Sequence, residues 1–403
     1  MKSEVAGLHV SKEAPTEDGR LPEIDWLRLG AVVLVVVIHV AQIFSPFESW
    51  HIDSPDKSRL LGQFTVFAAP WIMPLFMLLA GANAFFSLQA RSPGEYLRVR
   101  VLRLLVPLVA GIFLVIPPQI YYRRLSRGEF EGSFLEFYPR FFDGLFPSGN
   151  FSYGHLWFIA YLFLYLMAAL PVFQYLSGAE GRRLMARAGL WCQAPGRILW
   201  LAVPLAVGQL LLRVRYTQTT GAVVGDWATH AWLFTSLVYG YVLMAEPRFM
   251  KGIDQGWRMA LVPGVICSLG IAGFTWTGDV FARLPSEAGW GYLVFWSGFT
   301  LASWSWMVVI LGWARENLHR TTPFLRNWRD TAYPLYIFHQ TVVIVIAYWM
   351  VGWPLGLHTR FALITVASLA STILLMAAVR RIPGVRALFG LRGASSPPEP
   401  AAS

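Results

Sequence analysis

The sequence predicts an all-α, polytopic integral membrane bundle of about ten transmembrane helices, and three observations carry that expectation. The 403 residues are 56% hydrophobic and only 14% charged, with 18 Trp and 28 Phe, a balance that does not suit two or three soluble domains. Apolar stretches long enough to cross a bilayer, roughly 20 residues each, recur along nearly the whole length. Basic residues are unevenly placed: with the N-terminus inside, 23 of the 33 Lys and Arg fall on inner segments and 10 on outer ones. Positive charge collects on the cytoplasmic side, so both termini are expected in the cytoplasm, on a multi-pass protein of the cytoplasmic membrane.

Taken in order, the first span, about 26–46, follows Asp25, whose ordinary role there is an N-cap. It carries Arg28 and His39 in one apolar run with ten residues between them. A second runs over about 64–88. The third, about 101–121, opens on Arg98, Arg100 and Arg103, and the fourth, about 154–176, opens on His155 and Trp157. The fifth (198–213) is short, the sixth (228–245) starts near His230, and the seventh (259–276) contains Pro263 and several glycines. The eighth covers about 289–313, the ninth (333–352) holds His339 in YPLYIFHQ, and the tenth covers about 361–379. This makes residues 21–385 the transmembrane domain and leaves 1–20 and 386–403 as disordered polar tails. The outer loop 122–153 has seven Phe and Tyr between 130 and 146. It reads either as an amphipathic cover over an outer cavity or as packing at the bilayer interface.

Charge and cysteine usage exclude some functions. The net charge of +10 follows from topology and anionic lipid at the inner surface, and the basic residues form no single patch for nucleic acid. Cys192 falls in an inner loop and Cys267 in a span, so no disulfide is expected. No carboxylate lies at mid-membrane, which weighs against a proton-driven carrier. The titratable groups inside the membrane are His39 and His339. A helix rises about 1.5 Å per residue, so the imidazole of His39 lies roughly 16 Å deeper than the guanidinium of Arg28. Ionisable groups at that depth usually mark a site; the bland alternative is an interfacial anchor plus a tolerated polar residue.

Arg100 and Arg103 are three residues apart and share a face of a regular α-helix. Forked guanidinium groups suit phosphate oxygens, although flanking arginines of a span need no ligand. Arg103 sits a turn inside the apolar segment, where an anionic partner is expected. On the outer side are His51, His155, His230 and His358, none at metal-ligand spacing, so no metal is assigned. His155 beside Trp157 suits a sugar hydroxyl and ring, or an interfacial aromatic belt.

IDWLRLGAVVLVVVIH followed by RVRVLRLLVP resembles the type 3 acyltransferase family of ten-helix membrane enzymes, whose signatures are Arg, ten residues, then His, and an Arg-x-x-Arg pair before the third helix. HVAQIFSPFESWHIDS, RVRVLRLLVPLVAGIFLVIPPQ and SYGHLWFIAYL are closest in look to the glucan biosynthesis protein C branch, associated with succinylation of periplasmic glucans. The likeness is strongest over about residues 22–176, with YPLYIFHQ its main match beyond. Two departures stand out. Ala80-Gly81 replaces the Ser-Gly that members often carry, and no soluble domain follows the last helix, so helices, loops or a partner would handle the acceptor.

The resemblance implies an O-acyltransferase that takes an acetyl- or succinyl-class group from cytoplasmic acyl-CoA and places it on a hydroxyl of an extracytoplasmic carbohydrate or glycan. It needs no cofactor beyond the donor substrate. His39 is then the general base or a transient acyl carrier, an imidazole titrating near working pH. Arg28, Arg100 and Arg103 hold the donor. His51, His155 and Trp157 form the acceptor side, and His339 supports His39. Expected partners are acyl-CoA, the glycan acceptor, the bilayer and other polysaccharide-synthesis membrane proteins. The rival from another class is a non-enzymatic lipid-linked sugar carrier or flippase, using the same arginines for phosphate without needing a base.

Overall fold

The computed structural model describes residues 21–217, 221–276 and 289–391; the expected tails before 21 and after 391 lie outside them. Ten helical segments follow one another, one for each expected span, with shorter helices between them such as Ala179–Cys192. They are α1 (Pro22–Ile43), α2 (Arg59–Gln89), α3 (Pro93–Ser126) and α4, which runs Gly154–Ala168 and, after a 43° bend, Leu170–Ser177. Then come α5 (Arg197–Leu212), α6 (Trp227–Ala245), α7 (Pro247–Trp276), α8 (Trp290–Asn317), α9 (Pro323–Met350) and α10 (Leu357–Arg380). Among the described residues seven helices are long and apolar enough to cross a membrane, or eight if bent α4 is one span. The expected ten therefore exceeds that number by two: α5 is short, and Thr229, His230 and Ser236 dilute the hydropathy of α6. Those three side chains are buried inside the bundle, where a polar group needs a protein partner rather than lipid.

Local chemistry sets the helix ends. Leu21 is the N-cap of α1 and Pro22 follows it, so Asp25 lies inside the helix and is not the expected cap. Its carboxylate instead holds Arg28 at 3.1 Å, and acids in a first turn are favoured by the helix dipole. Ser58 caps α2, and Ser92 with Glu95 forms a reciprocal capping box on α3. Pro107 cannot donate a hydrogen bond and crowds the carbonyl four residues earlier. Just before it the helix widens into a π turn over Val101–Leu105, with the Val106 N–H bonded to the carbonyl of Val101.

Close packing holds the bundle together. At the α2–α6 crossing, a Cβ added to Gly81 would lie 1.8 Å from the Leu237 carbonyl oxygen, and one added to Gly240 would lie 1.8 Å from that of Leu78. Two helices approach this closely only where small residues let their backbones meet. Gly81 thus has a packing role of its own beside the substituted Ala80. At the other large crossing, Gly312 of α8 faces the Trp257 side chain of α7. The loop after α3 folds a short helix, Phe134–Arg140, behind a Ser133–Glu136 capping box. Phe137 and Phe141 are buried, and Phe130, Phe134 and Phe137 surround Tyr121 of α3 at 5.5–6.1 Å. The aromatic loop is therefore packed onto α3. At the other end of the chain, helix Pro383–Leu388 continues past residue 385 and Phe389 packs on Phe338 at 4.8 Å.

Candidate active site

α1 brings His39 against the start of α4 and the middle of α9. His39 and His339 lie 5.1 Å apart between ring centroids, and His339 and His155 lie 5.2 Å apart. The loop after α1 folds back so that the Trp50 indole sits 5.6 Å from His39 and 5.2 Å from His51. Four histidines assigned separately in the sequence, two to the membrane interior and two to the outer side, thus converge. His230 and His358 do not join them. His230 accepts from the Tyr165 hydroxyl at 2.6 Å and donates to the Val223 carbonyl at 3.1 Å, while His358 is exposed.

Backbone carbonyls accept and never donate, which fixes the tautomers. His39 Nδ1 donates to the Val35 carbonyl at 2.9 Å, and the same N–H faces His339 Nε2 at 3.3 Å. His339 Nδ1 donates to the Tyr336 carbonyl at 2.6 Å, so its Nε2 is an acceptor towards His39. His39 Nε2 is thereby left as the basic lone pair of a half-buried ring. One nitrogen is fixed by hydrogen bonding and the other is free for chemistry, the arrangement that sets a histidine's role.

A chain of amides continues from His155. This ring is 5% exposed, and its Nε2 donates to the Ile337 carbonyl at 2.9 Å, leaving Nδ1 to accept from Gln119 at 3.1 Å. Gln119 also donates to the Thr341 hydroxyl at 2.7 Å, which donates onward to the Val115 carbonyl at 2.7 Å. The Gln119 oxygen therefore faces Gln340, which donates to it at 3.2 Å and to His51 Nε2 at 3.3 Å. The Tyr336 hydroxyl closes the array on the His155 carbonyl at 2.6 Å. Every link runs between groups on α3, α4, α9 and the loop after α1. This fits the rule that buried polar groups are paired.

The remaining residues of interest lie apart. Trp157 packs on Tyr161 at 5.1 Å and lies under Gly221, so it does not share His155's surroundings. Arg100 is half-buried with its guanidinium 4.7 Å over the Tyr96 ring. Arg103 is exposed, and a π turn spans the step between the two arginines. Arg28 stays with Asp25 on the first turns of α1. An apolar groove of about 750 Å³, lined by Leu60, Phe64, Phe67, Val265 and Trp306, contains none of the histidines. Among the described residues no three His, Cys, Asp or Glu are arranged to hold a metal.

Gln119, Gln340, Tyr336 and Trp50 were missed in the sequence. The signal was present for the glutamines, since both lie in apolar spans, where an amide is costly without a partner.

Glucans biosynthesis protein C of Escherichia coli O6:K15:H31 (strain 536 / UPEC) is 26% identical over 151 residues, 37% of each chain, so the chain spans well under half the length of this curated relative. No solved structure matches. The family model of the acyltransferase domain matches residues 21–377, nearly all of the helical bundle, and the chain belongs to the type 3 acyltransferase family.

Proposed function

We propose that this membrane acyltransferase moves an acetyl- or succinyl-class acyl group from cytoplasmic acyl-CoA to a hydroxyl of an extracytoplasmic carbohydrate or glycan. The observation that carries the reading is the open Nε2 of His39, whose Nδ1–H is held by the Val35 carbonyl and His339. An acceptor hydroxyl placed at Nε2 loses its proton to the ring as its oxygen attacks the thioester carbonyl. The tetrahedral intermediate then collapses, the C–S bond breaks, and the proton passes from the imidazolium to the departing sulfur. While the ring is charged, its Nδ1–H binds His339 Nε2 more strongly, because a charge-assisted hydrogen bond is about twice as strong as a neutral one.

In this reading Arg28, Arg100 and Arg103 take the donor's phosphates, and Trp50, His51 and the loop after α1 face the acceptor. The clustering of His51 and His155 around His39 supports an acceptor entering from the end of the bundle opposite Arg28. Donor and acceptor then meet inside the bundle, and no soluble carrier crosses.

The test is transfer by the purified protein in lipid vesicles, with acyl-CoA on one side and glycan on the other, read as the mass of the product. A glycan heavier by one acyl group supports the proposal. Passage of a lipid-linked sugar with no acylated product would replace it with the carrier reading. Sidedness is checked with exposed single cysteines in intact cells. Ser148→Cys should react with an impermeant thiol reagent and Ala179→Cys should not; the reverse pattern would move the acceptor to the cytoplasm.

A further inference from the structure

The end of α3 carries Arg123 and Arg124, with Arg127 as its C-cap, and the three have different duties. Arg124 clamps the loop that follows, donating to Asn150 Oδ1 at 2.9 Å, to the carbonyls of Gly149 at 2.7 Å and Pro147 at 3.1 Å, and pairing with Glu129. Arg127 clamps the loop after α1, donating to Ser49 Oγ at 2.8 Å and the Trp50 carbonyl at 2.9 Å. Arg123 lies one turn beyond Gln119 and its guanidinium sits 4.8 Å over the Phe146 ring. Its Nε is buried and makes no hydrogen bond among the described residues. The nearby acids are committed elsewhere: Asp53 to Lys57 at 2.9 Å and Ser49 at 2.6 Å, and Glu129 to Arg124.

A second unmet donor lies on His51, which Gln340 links to Gln119, one turn before Arg123. Gln340 donates to His51 Nε2, which puts the proton of the neutral ring on Nδ1, and that Nδ1 is also buried with no partner among the described residues. Burial, followed by the charge of Arg123, holds the His51 imidazole down to about 3, so it serves as a neutral N–H donor. Unpaired buried donors are costly, and two of them, one on a charged guanidinium, call for an acceptor with negative charge. Trp50, between His51 and His39, joins this spot to the base.

We infer that His51 Nδ1 and Arg123 Nε form an oxyanion subsite at the mouth of the histidine cluster, which takes a carboxylate or phosphate oxygen carried by one of the two substrates. The subsite rests on the acyl-transfer reading for its place in the reaction but not for its existence. Its role is selection: a substrate bearing the anion is held with its reacting end towards His39, and a neutral analogue leaves both donors unpaired.

The experiment uses the full-length protein in lipid nanodiscs. Binding of succinate and of inorganic phosphate, with neutral succinamide as reference, is measured by calorimetry on wild type, Arg123→Gln, Arg123→Lys and His51→Gln. Wild type should bind one of the anions at least tenfold more tightly than succinamide. Arg123→Gln and His51→Gln should each erase most of that preference, because a Gln amide reaches the Nε2 position and leaves nothing at Nδ1, and Arg123→Lys should recover part of it. In transfer assays, the ratio of kcat/KM for acid-bearing over neutral substrate should fall at least tenfold in Arg123→Gln. A fall seen between succinyl and acetyl donors places the anion on the acyl group, and a fall seen between acidic and neutral glycans places it on the acceptor. Arg124→Gln should lower thermal stability without changing that ratio. Absence of anion preference in wild type, or the same preference in Arg123→Gln, overturns the subsite. Anion preference without any acyl transfer would overturn the proposed function and leave the subsite standing. Should Arg123→Gln fail to fold, His51→Gln and Arg123→Lys decide the matter by the same readings.

Discussion

Replacing His39 by Asn separates its chemistry from its packing. The Asn amide nitrogen occupies nearly the position of the imidazole Nδ1. It can therefore keep the N–H that points at the Val35 carbonyl and at His339 Nε2, at 2.9 and 3.3 Å in the native chain. It offers nothing in place of Nε2. A positioned general base contributes about 10²–10⁴-fold, which at 1.36 kcal/mol per decade is about 2.7–5.5 kcal/mol of barrier. His39→Asn should lower kcat by that factor with stability changed by less than about 1 kcal/mol, the scale of one net hydrogen bond. His39→Ala should be as inactive and should in addition lose about 1–3 kcal/mol, because it strands the buried acceptor of His339. The assay is release of free thiol from acyl-CoA in the presence of acceptor, with Trp fluorescence following unfolding of the same samples. If His39→Asn keeps more than about a tenth of wild-type kcat, less than one decade is lost and the base assignment fails.

Three further outcomes follow from the geometry. Arg100→Ala and Arg103→Ala should raise the KM for acyl-CoA more than tenfold with little change for acceptor, a charge-assisted contact being worth about 1.5–3 kcal/mol; Lys should rescue in part, and equal weakening of both substrates rejects the donor role. Gly81→Ala should destabilise by about 1–3 kcal/mol or more through overpacking, because its Cβ would meet the Leu237 carbonyl at 1.8 Å, whereas Gly30→Ala, with nothing within 4 Å, should not; thermal unfolding of the pair is the measurement. For His51, in the loop outside the spans, burial first and Arg123 second lower the folded value to about 3 against about 6.5 in an unfolded chain. Between these values the unfolded state binds the extra proton, so stability should be full above about pH 6.5 and decline as pH falls towards 3; His51→Asn should flatten the slope, and an unchanged slope would refute the assignment.

The sequence by itself determined the class of fold, the order of the helices and the family, and it pointed to His39 and Arg100 as residues to test. These are properties of single segments. Apolar runs must be helical in lipid because each backbone group has to find its partner within the segment, and a buried imidazole needs a reason to be there. It also reads Arg100 and Arg103 through a regular α-helical step, where the chain forms a π turn just before Pro107. Tertiary structure alone decided what depends on two segments meeting. Residues 39 and 339 touch because α1 packs on α9, and the Gly81–Gly240 approach exists only at the α2–α6 crossing. The direction of each proton in the histidine and glutamine chain is set by the backbone carbonyls of Val35, Tyr336, Ile337 and Val115, which the packing brings to its ends. The assignments of Arg123, Arg124 and Arg127 to an open donor and two loop clamps depend on which loop lies across each guanidinium. Hydrogen bonds and ion contacts are short-ranged, and spacing along one helix carries no information about what a distant part of the chain lays against it.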